Sequence, residues 1–293
     1  MAEPVFADSE RPSDRAASST AVRAAGLRAA HLLLDDPPPI LDDPLAVRLL
    51  GPEAARVIGQ RPDRLRTPVA RALRTEVVVR SRYAEEGLED AVKRGVRQYV
   101  ILGAGLDTFS YRQPAWAADL RIIEVDHAAS QLDKQARLRE AGIVAPPNLR
   151  YAAADLEADA LSPRLASAGL NPLKSTFVAC LGVLIYLREG TLDAIVAMVT
   201  KLPAGSQFVF TFSRSDVATA GPPAPGSPAA RVAAAGEPWR TRIEPDAAEA
   251  MLHAAGFRSL IFLDAEDVDR RYLSERSDGL RQPAQVIIAD ATV

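Results

Sequence analysis

The sequence predicts an α/β fold: an open, parallel, seven-stranded sheet with helices on both faces and an N-terminal helical cap. Three observations predict it. After Gly95 short apolar runs alternate with helical stretches, the pattern of strands joined by crossover helices. The first of those runs, Tyr99 to Leu102, ends in a Gly-Ala-Gly turn at 103 to 105, as the first strand of an open α/β sheet does where it meets a nucleotide-type ligand. Before Gly95 the chain is Ala-rich and helical in texture, with no strand pattern.

The elements follow in order. Residues 1–18 are polar and aperiodic and read as a flexible arm. The cap spans 19–95. It opens with a helix from Thr20 to Leu34, and Asp43-Pro44 supplies an N-cap and first helical position for the next. Thr67-Pro68 repeats that signature for a longer helix that runs to about Arg94, with Gly95 as its terminator.

The core spans 96–293. Its strands are expected at 99–102, 121–125, 149–152, 176–182, 207–212, 259–263 and 285–289. Helices are expected at 128–141, 190–201 and 246–255, with Gly142 and Gly256 as stops, and a shorter one near 158–168. The segment around GPPAPGSP sustains neither period. It reads as an inserted loop over 214–242, either a solvent-exposed connector or an active-site lid.

Composition narrows the function classes. A chain of 293 residues that is 48% hydrophobic can bury a sizeable core. A net charge of −3, with acidic residues interspersed among the arginines, argues against nucleic acid or an anionic membrane as partner. A single cysteine, Cys180, excludes an internal disulfide, and three scattered histidines offer no metal site. The first residues carry no basic region followed by an apolar stretch, and no apolar run reaches the ~18–20 residues of a membrane span, so a cytoplasmic protein is expected.

The ligand is read from three strand ends. Gly103 and Gly105 let a ligand approach bare main chain, but position 108, where a dinucleotide fingerprint has glycine, is threonine, preceded by Asp107. An anionic diphosphate is therefore disfavoured. About 20 residues on, Glu124 and Asp126 share one face of the second strand, where a carboxylate accepts from ribose hydroxyls. After the third strand, Asp155 has the chemistry to accept from an adenine amine, with the alternative of capping a helix. Glycine turn, ribose acid and adenine acid, without a pyrophosphate glycine, describe a nucleoside lacking phosphates, and S-adenosylmethionine is such a cofactor.

Residues 20–289 resemble the leucine carboxyl methyltransferase family, in particular its bacterial S-adenosylmethionine-dependent O-methyltransferase branch. The marks are AVRAAGLRAAHLLL, DDPLAVRLL, VVVRSRYAEEGL, VILGAGLDTFSYR, IEVDH, Asp155-Leu156, GVLIYL and GEPWRTRIEPDAAEAMLHAAGF, in that order. The resemblance implies a class I methyltransferase, Rossmann-like fold. It implies Arg80 at the cofactor's methionine carboxylate, Gly103 at the methionine end, Asp126 at the ribose, and Asp155 with Leu156 at the adenine. A guanidinium suits a carboxylate because it grips both oxygens; Arg82 is the second choice. One position departs: before Gly182 the family proper typically carries glutamate, and here Leu181 offers no hydrogen bond.

The expected activity is methyl transfer to a hydroxyl or carboxyl oxygen of a small molecule, with protein carboxyl methylation subordinate. A hydroxyl acceptor gains from a general base, whereas a carboxylate is already ionised. His31 on the cap and Tyr186 after the fourth strand are the candidate catalytic residues. His127 is expected to shape the cofactor site, His253 to be structural, Cys180 to be core and Trp116 to pack, while Trp239 borders the inserted loop. The cap and that loop are expected to close over the sheet's C-terminal edge. A nicotinamide-dependent dehydrogenase and a non-catalytic S-adenosylmethionine-binding protein are the competing readings.

Overall fold

The computed structural model describes residues 19–60, 62–188, 190–215 and 241–293, so the expected arm, most of the 214–242 loop and Trp239 lie outside the described residues. The helical N-terminal part comprises α1 (Ser19–Leu34), α2 (Pro44–Gln60), α3 (Pro62–Leu65) and α4 (Pro68–Lys93). Small side chains on α1 let α2 come close: Ala29 and Ala30 pack with Ala46 and Ile58, all fully buried. The two Pro-marked starts are capped as the sequence predicts. Asp43 Oδ1 accepts from the Ala46 amide at 3.1 Å, and Thr67 Oγ1 accepts from that of Ala70 at 3.2 Å. After α4 the chain leaves through Gly95 at φ +102°.

Seven strands follow: β1 (Gln98–Leu102), β2 (Arg121–Asp126), β3 (Leu149–Ala153), β4 (Phe177–Cys180), β5 (Gln207–Ser213), β6 (Ser259–Leu263) and β7 (Val286–Thr292). The intervening helices are α5 (Ala128–Glu140), α6 (Leu161–Ser167), α7 (Thr191–Val199), α8 (Pro245–Ala255) and α9 (Ala265–Val268). The strand order is β3-β2-β1-β4-β5-β7-β6.

One expectation needs correction. The sheet is mixed: β1 to β5 pair in parallel, whereas β7 runs antiparallel between β5 and β6. A parallel neighbour needs a crossover that returns the chain to the same sheet edge. Between β6 and β7 only the short α9 and one irregular turn, Asp269–Leu273, are present, so the chain doubles back.

The sheet is covered on both faces, and strand alternation divides the core. Tyr99 and Ile101 of β1 point to a cluster formed with Val78, Val79, Tyr83 and Leu88 of α4. Val100 and Leu102 point the other way, into a cluster with α6, α7 and α8. The second half of α4 is thus a layer of the sheet domain as well as the end of the helical segment. Among the described residues no helix is long and apolar enough to cross a membrane.

Candidate functional site

In sheets of this type ligands bind beyond the carboxyl ends of the strands where strand order reverses. Here that point lies between β1 and β4. The chain leaves β1 through Gly103 at φ +67° and Gly105 at φ +42°. A Cβ on Gly103 would lie 2.4 Å from Val183 Cγ2, so the loops after β1 and β4 pass one another only because this position is bare.

The turn is locked from β2. Gly103 and Ala104 donate to the Val125 carbonyl at 2.8 and 3.1 Å. Asp126 Oδ2 accepts from the Gly105 amide at 2.6 Å, and its Oδ1 accepts from the His127 amide at 2.7 Å. The carboxylate is held in one orientation by main chain, and each oxygen keeps a further acceptor direction. His127 caps α5 through Nδ1, which accepts from the Ala129 amide at 3.3 Å. After β3, Asp155 closes a turn of its own: Oδ1 accepts from the Glu157 amide at 2.9 Å. Helix α6 begins only at Leu161 with Ala160 before it, so the helix-capping alternative for Asp155 does not hold.

These loops enclose a cavity of about 370 Å³, lined among others by Gly103, Gly105, Asp126, Asp155, Leu156 and Arg80. His127, Leu181 and Tyr186 also line it. A second chamber of about 120 Å³ adjoins it and shares Thr20, Ala24, Arg80, Gly182 and Tyr186 with it. Its remaining walls are largely apolar, with Leu27, Leu73, Val77, Ile185 and Phe212 prominent. Arg80 stands at the partition, ion-paired to Glu76 one helical turn earlier. Gly182, at φ +67°, gives it room, since a Cβ there would lie 2.4 Å from the guanidinium. The Gly182 amide donates to Thr211 Oγ1 at 2.7 Å, which ties the β4 loop to β5.

Two sequence-predicted site residues stand elsewhere. Glu124 is buried, with Oε2 2.7 Å from Lys134 Nζ, and does not line the cavity. It shares the face of Asp126 but sits two residues deeper, about 6.6 Å back along the strand, and only the strand's last residue reaches the edge. Burial pushes its carboxyl above the usual range, with Lys134 opposing. His31 is also buried away from both cavities. Its Nε2 accepts from the Ile40 amide at 2.9 Å and its Nδ1 lies 2.9 Å from Asp35 Oδ2, itself held by Arg74 at 2.7 Å. Both ring nitrogens are occupied in a structural cluster, so His31 is not positioned as a base.

The remaining candidates fall as expected or further out. Cys180 is fully buried and its thiol is pushed up to about 12 by that burial, which makes it inert. Trp116 packs against Phe109. His253 lies on the outer part of α8, 3.8 Å from Glu249. Arg82 is half-exposed and bonds Glu86, away from both cavities.

Sequence reasoning missed the support beneath the turn. Arg28 of α1 donates to Asp43 at 2.8 Å and to the Leu106 carbonyl at 2.6 Å. Arg112 lies 3.5 Å from Asp43 and donates to Glu85 at 3.0 Å. Burial alone would raise the Asp43 carboxyl, but Arg28 and Arg112 outweigh it and hold the group below its usual range. The same burial leaves Glu85 raised despite Arg112. Glu76 was missed as well, although its four-residue spacing from Arg80 was a usable signal.

Comparison with known proteins bears on the family and the fold. The leucine carboxyl methyltransferase family model matches residues 21–200. YktD of Bacillus subtilis strain 168, named as an S-adenosyl-L-methionine-dependent methyltransferase, is 31% identical over 238 residues, covering 80% of this chain and 78% of its own. A Frankia alni relative named for the same activity is 33% identical over 208 residues, 68% of this chain and 70% of its own. Among solved structures, a DUF574 family protein from Streptomyces avermitilis MA-4680 superposes with a TM-score of 0.53 at 17% identity, covering 91% of this chain and 96% of that one. A protein from Thermobifida fusca YX gives 0.53 at 19% identity, with 82% and 88% covered. At such identities the structural likeness bears on fold alone, and the fold is the class I methyltransferase sheet.

Proposed function

Given that the chain belongs to the leucine carboxyl methyltransferase family and is an S-adenosylmethionine-dependent methyltransferase, we propose that it transfers the methyl group to a hydroxyl or carboxyl oxygen of a small molecule. One observation carries this reading: the larger cavity shares Arg80, Gly182 and Tyr186 with an adjoining chamber of about 120 Å³ with mainly apolar walls. A site of that size and lining suits a small acceptor rather than a folded partner.

The donor set fits the cofactor. Two carboxylates at successive strand ends, Asp126 and Asp155, face the cavity with a guanidinium, Arg80, at its other end. A zwitterionic nucleoside amino acid offers ribose hydroxyls, an adenine amine and a carboxylate to these three groups. In the proposed assignment Arg80 holds the methionine carboxylate and Gly103 and Gly105 flank the methionine. Asp126 accepts from the ribose hydroxyls through the lone pairs its backbone bonds leave free, and Asp155 with Leu156 borders the adenine.

When bound, the cofactor supplies a methyl group on a positively charged sulfur. The protein's part is to hold the acceptor oxygen about 3–3.5 Å from that carbon and in line with the sulfur. It also excludes water: charge is neutralised as the methyl moves, and a desolvated site favours that change. Thr20 and Ala24 of α1 line both cavities, so the N-terminal helices are the proposed roof of the site. Tyr186, also on both walls, is the proposed neighbour of the acceptor.

Calorimetric titration with S-adenosylmethionine, S-adenosylhomocysteine and NAD tests the cofactor half, with binding of the first two and none of NAD expected. Incubation with radiolabelled methyl donor and a metabolite extract tests the acceptor half. Label should enter small-molecule products; alkali releases it as methanol from esters and leaves it in ethers. Label found only in protein would reject the small-molecule reading.

A further inference from the structure

The smaller chamber lies between the end of β5 and the first half of α4. Alternation along β5 settles which side chains enter it. Val209 packs with Val78, Val79 and Tyr83 of α4, whereas Phe208 and Phe210 join the cluster on the opposite face. Thr211 and Ser213 follow Val209 at two-residue steps, so they present the α4 face as well, and both line the chamber. Their hydroxyls are unspent. Thr211 is 4% exposed; its Oγ1 accepts from the Gly182 amide at 2.7 Å, but among the described residues its own proton has no acceptor. Ser213 is 7% exposed and makes no side-chain hydrogen bond among the described residues, yet its Oγ is not sealed from open space. A hydroxyl buried without a partner is costly, so two of them on a cavity wall are matched by what the cavity holds.

We propose that Thr211 and Ser213 are specificity-determining residues, whose hydroxyls donate to an oxygen of the acceptor molecule that carries no proton of its own, a carbonyl or a carboxylate on a largely apolar body. This rests on the reading of the chamber as the acceptor half of the methyltransferase site. The charge on the walls agrees with it. Two arginines face one carboxylate there: Arg80 is paired with Glu76, whereas Arg23, mostly buried on α1, has no ion pair among the described residues. A ligand group that only donates, such as an amidinium, would set its protons against that of Thr211 and its charge against that of Arg23.

The same arrangement registers the acceptor to the cofactor. Thr211 Oγ1 is placed by the Gly182 amide, and the Arg80 guanidinium stands against the bare face of Gly182. The group proposed to hold the methionine carboxylate and the group proposed to hold the acceptor are thus set by one residue of the loop after β4. Fixing both reactants to one loop is what an in-line transfer requires.

The test uses the full chain loaded with S-adenosylhomocysteine and three probes of one shape, benzoate, benzamide and benzamidine, with binding read by ligand-observed NMR. The first is all acceptor at its polar end, the second mixed and the third all donor. The wild type should bind benzoate or benzamide about tenfold or more tighter than benzamidine. Benzoate ahead of benzamide marks a carboxylate acceptor, and parity marks a carbonyl. Ser213→Ala and Thr211→Val should each weaken the preferred probe about tenfold and leave benzamidine unmoved, while Thr211→Ser, which keeps the hydroxyl, should restore it. Ser213→Ala should hold S-adenosylhomocysteine affinity within about threefold, since that hydroxyl supports no protein group. Benzamidine bound as tightly as the other two, or binding of no probe at about 10 mM, overturns the proposal. So does a preferred probe unmoved in either variant, or a loss in Thr211→Val that Thr211→Ser fails to rescue, which would make methyl packing the role of that residue. If the wild type does not bind S-adenosylhomocysteine, the cofactor reading beneath the proposal fails; S-adenosylhomocysteine bound without the probe ranking overturns this proposal alone.

Discussion

Gly182 sits at a φ of +67°, which residues with a side chain rarely adopt, and a Cβ there would meet the movable guanidinium end of Arg80. Gly182→Ala is therefore expected to displace Arg80 and weaken S-adenosylhomocysteine at least tenfold by calorimetry, with an unchanged circular dichroism spectrum. Asp126→Ala removes an acceptor that the main chain has already oriented, and should cost about 1–3 kcal/mol of cofactor binding. Unchanged affinity would reject its ribose role. His31 gives the opposite expectation. His31→Gln should lower the urea midpoint while leaving the rate of methyl transfer to any acceptor found within about twofold, because both imidazole nitrogens serve the Asp35–Ile40 segment. At this scale the sequence disclosed Gly103, Asp126 and Asp155 because each sits at a strand end, a position that periodicity locates. It misplaced Glu124, since alternation reports the face of a strand and not the depth along it.

The element that joins the helical segment to the site is the start of α2. Asp43 caps that helix, pairs with Arg28 of α1 and lies beside Arg112 beyond the glycine turn. Its carboxyl is held below the ordinary value of 3.8, so the stability it contributes is fully present above about pH 4 and is lost as pH falls through the lowered folded value. Asp43→Asn leaves the buried Arg28 guanidinium without its counter-charge, while Arg112 keeps Glu85, and should cost about 3–5 kcal/mol, measured by urea unfolding at pH 7. The variant should also show a shallower loss of stability with acid, and an unaltered acid slope would reject the role given to Asp43. The Asp-Pro pair made the cap legible in the sequence. Its arginine partners were not, because tertiary ion pairs between distant segments leave no local period.

Across the whole molecule, ligand binding to the folded state alone stabilises by about 2.7 kcal/mol when the ligand is at a hundred times its dissociation constant. For a chain of 293 residues that is a rise in melting temperature of about 4 °C with S-adenosylhomocysteine. NAD at the same concentration should give no shift, and an equal shift would overturn the cofactor assignment. The strands and crossover helices were legible because each is a local pattern of burial; β1 to β6 begin and end within a few residues of expectation. The direction of β7 was not, since a strand's own sequence reads alike in either direction and only the connection before it decides. That strand's place carries a consequence for synthesis. β7 pairs with both β5 and β6, yet it is made after both, so a growing chain holds two unsatisfied strand borders until Val286–Thr292 emerge. Nascent chains stopped just short of Val286 are thus the forms most prone to self-association, and the most dependent on chaperone cover.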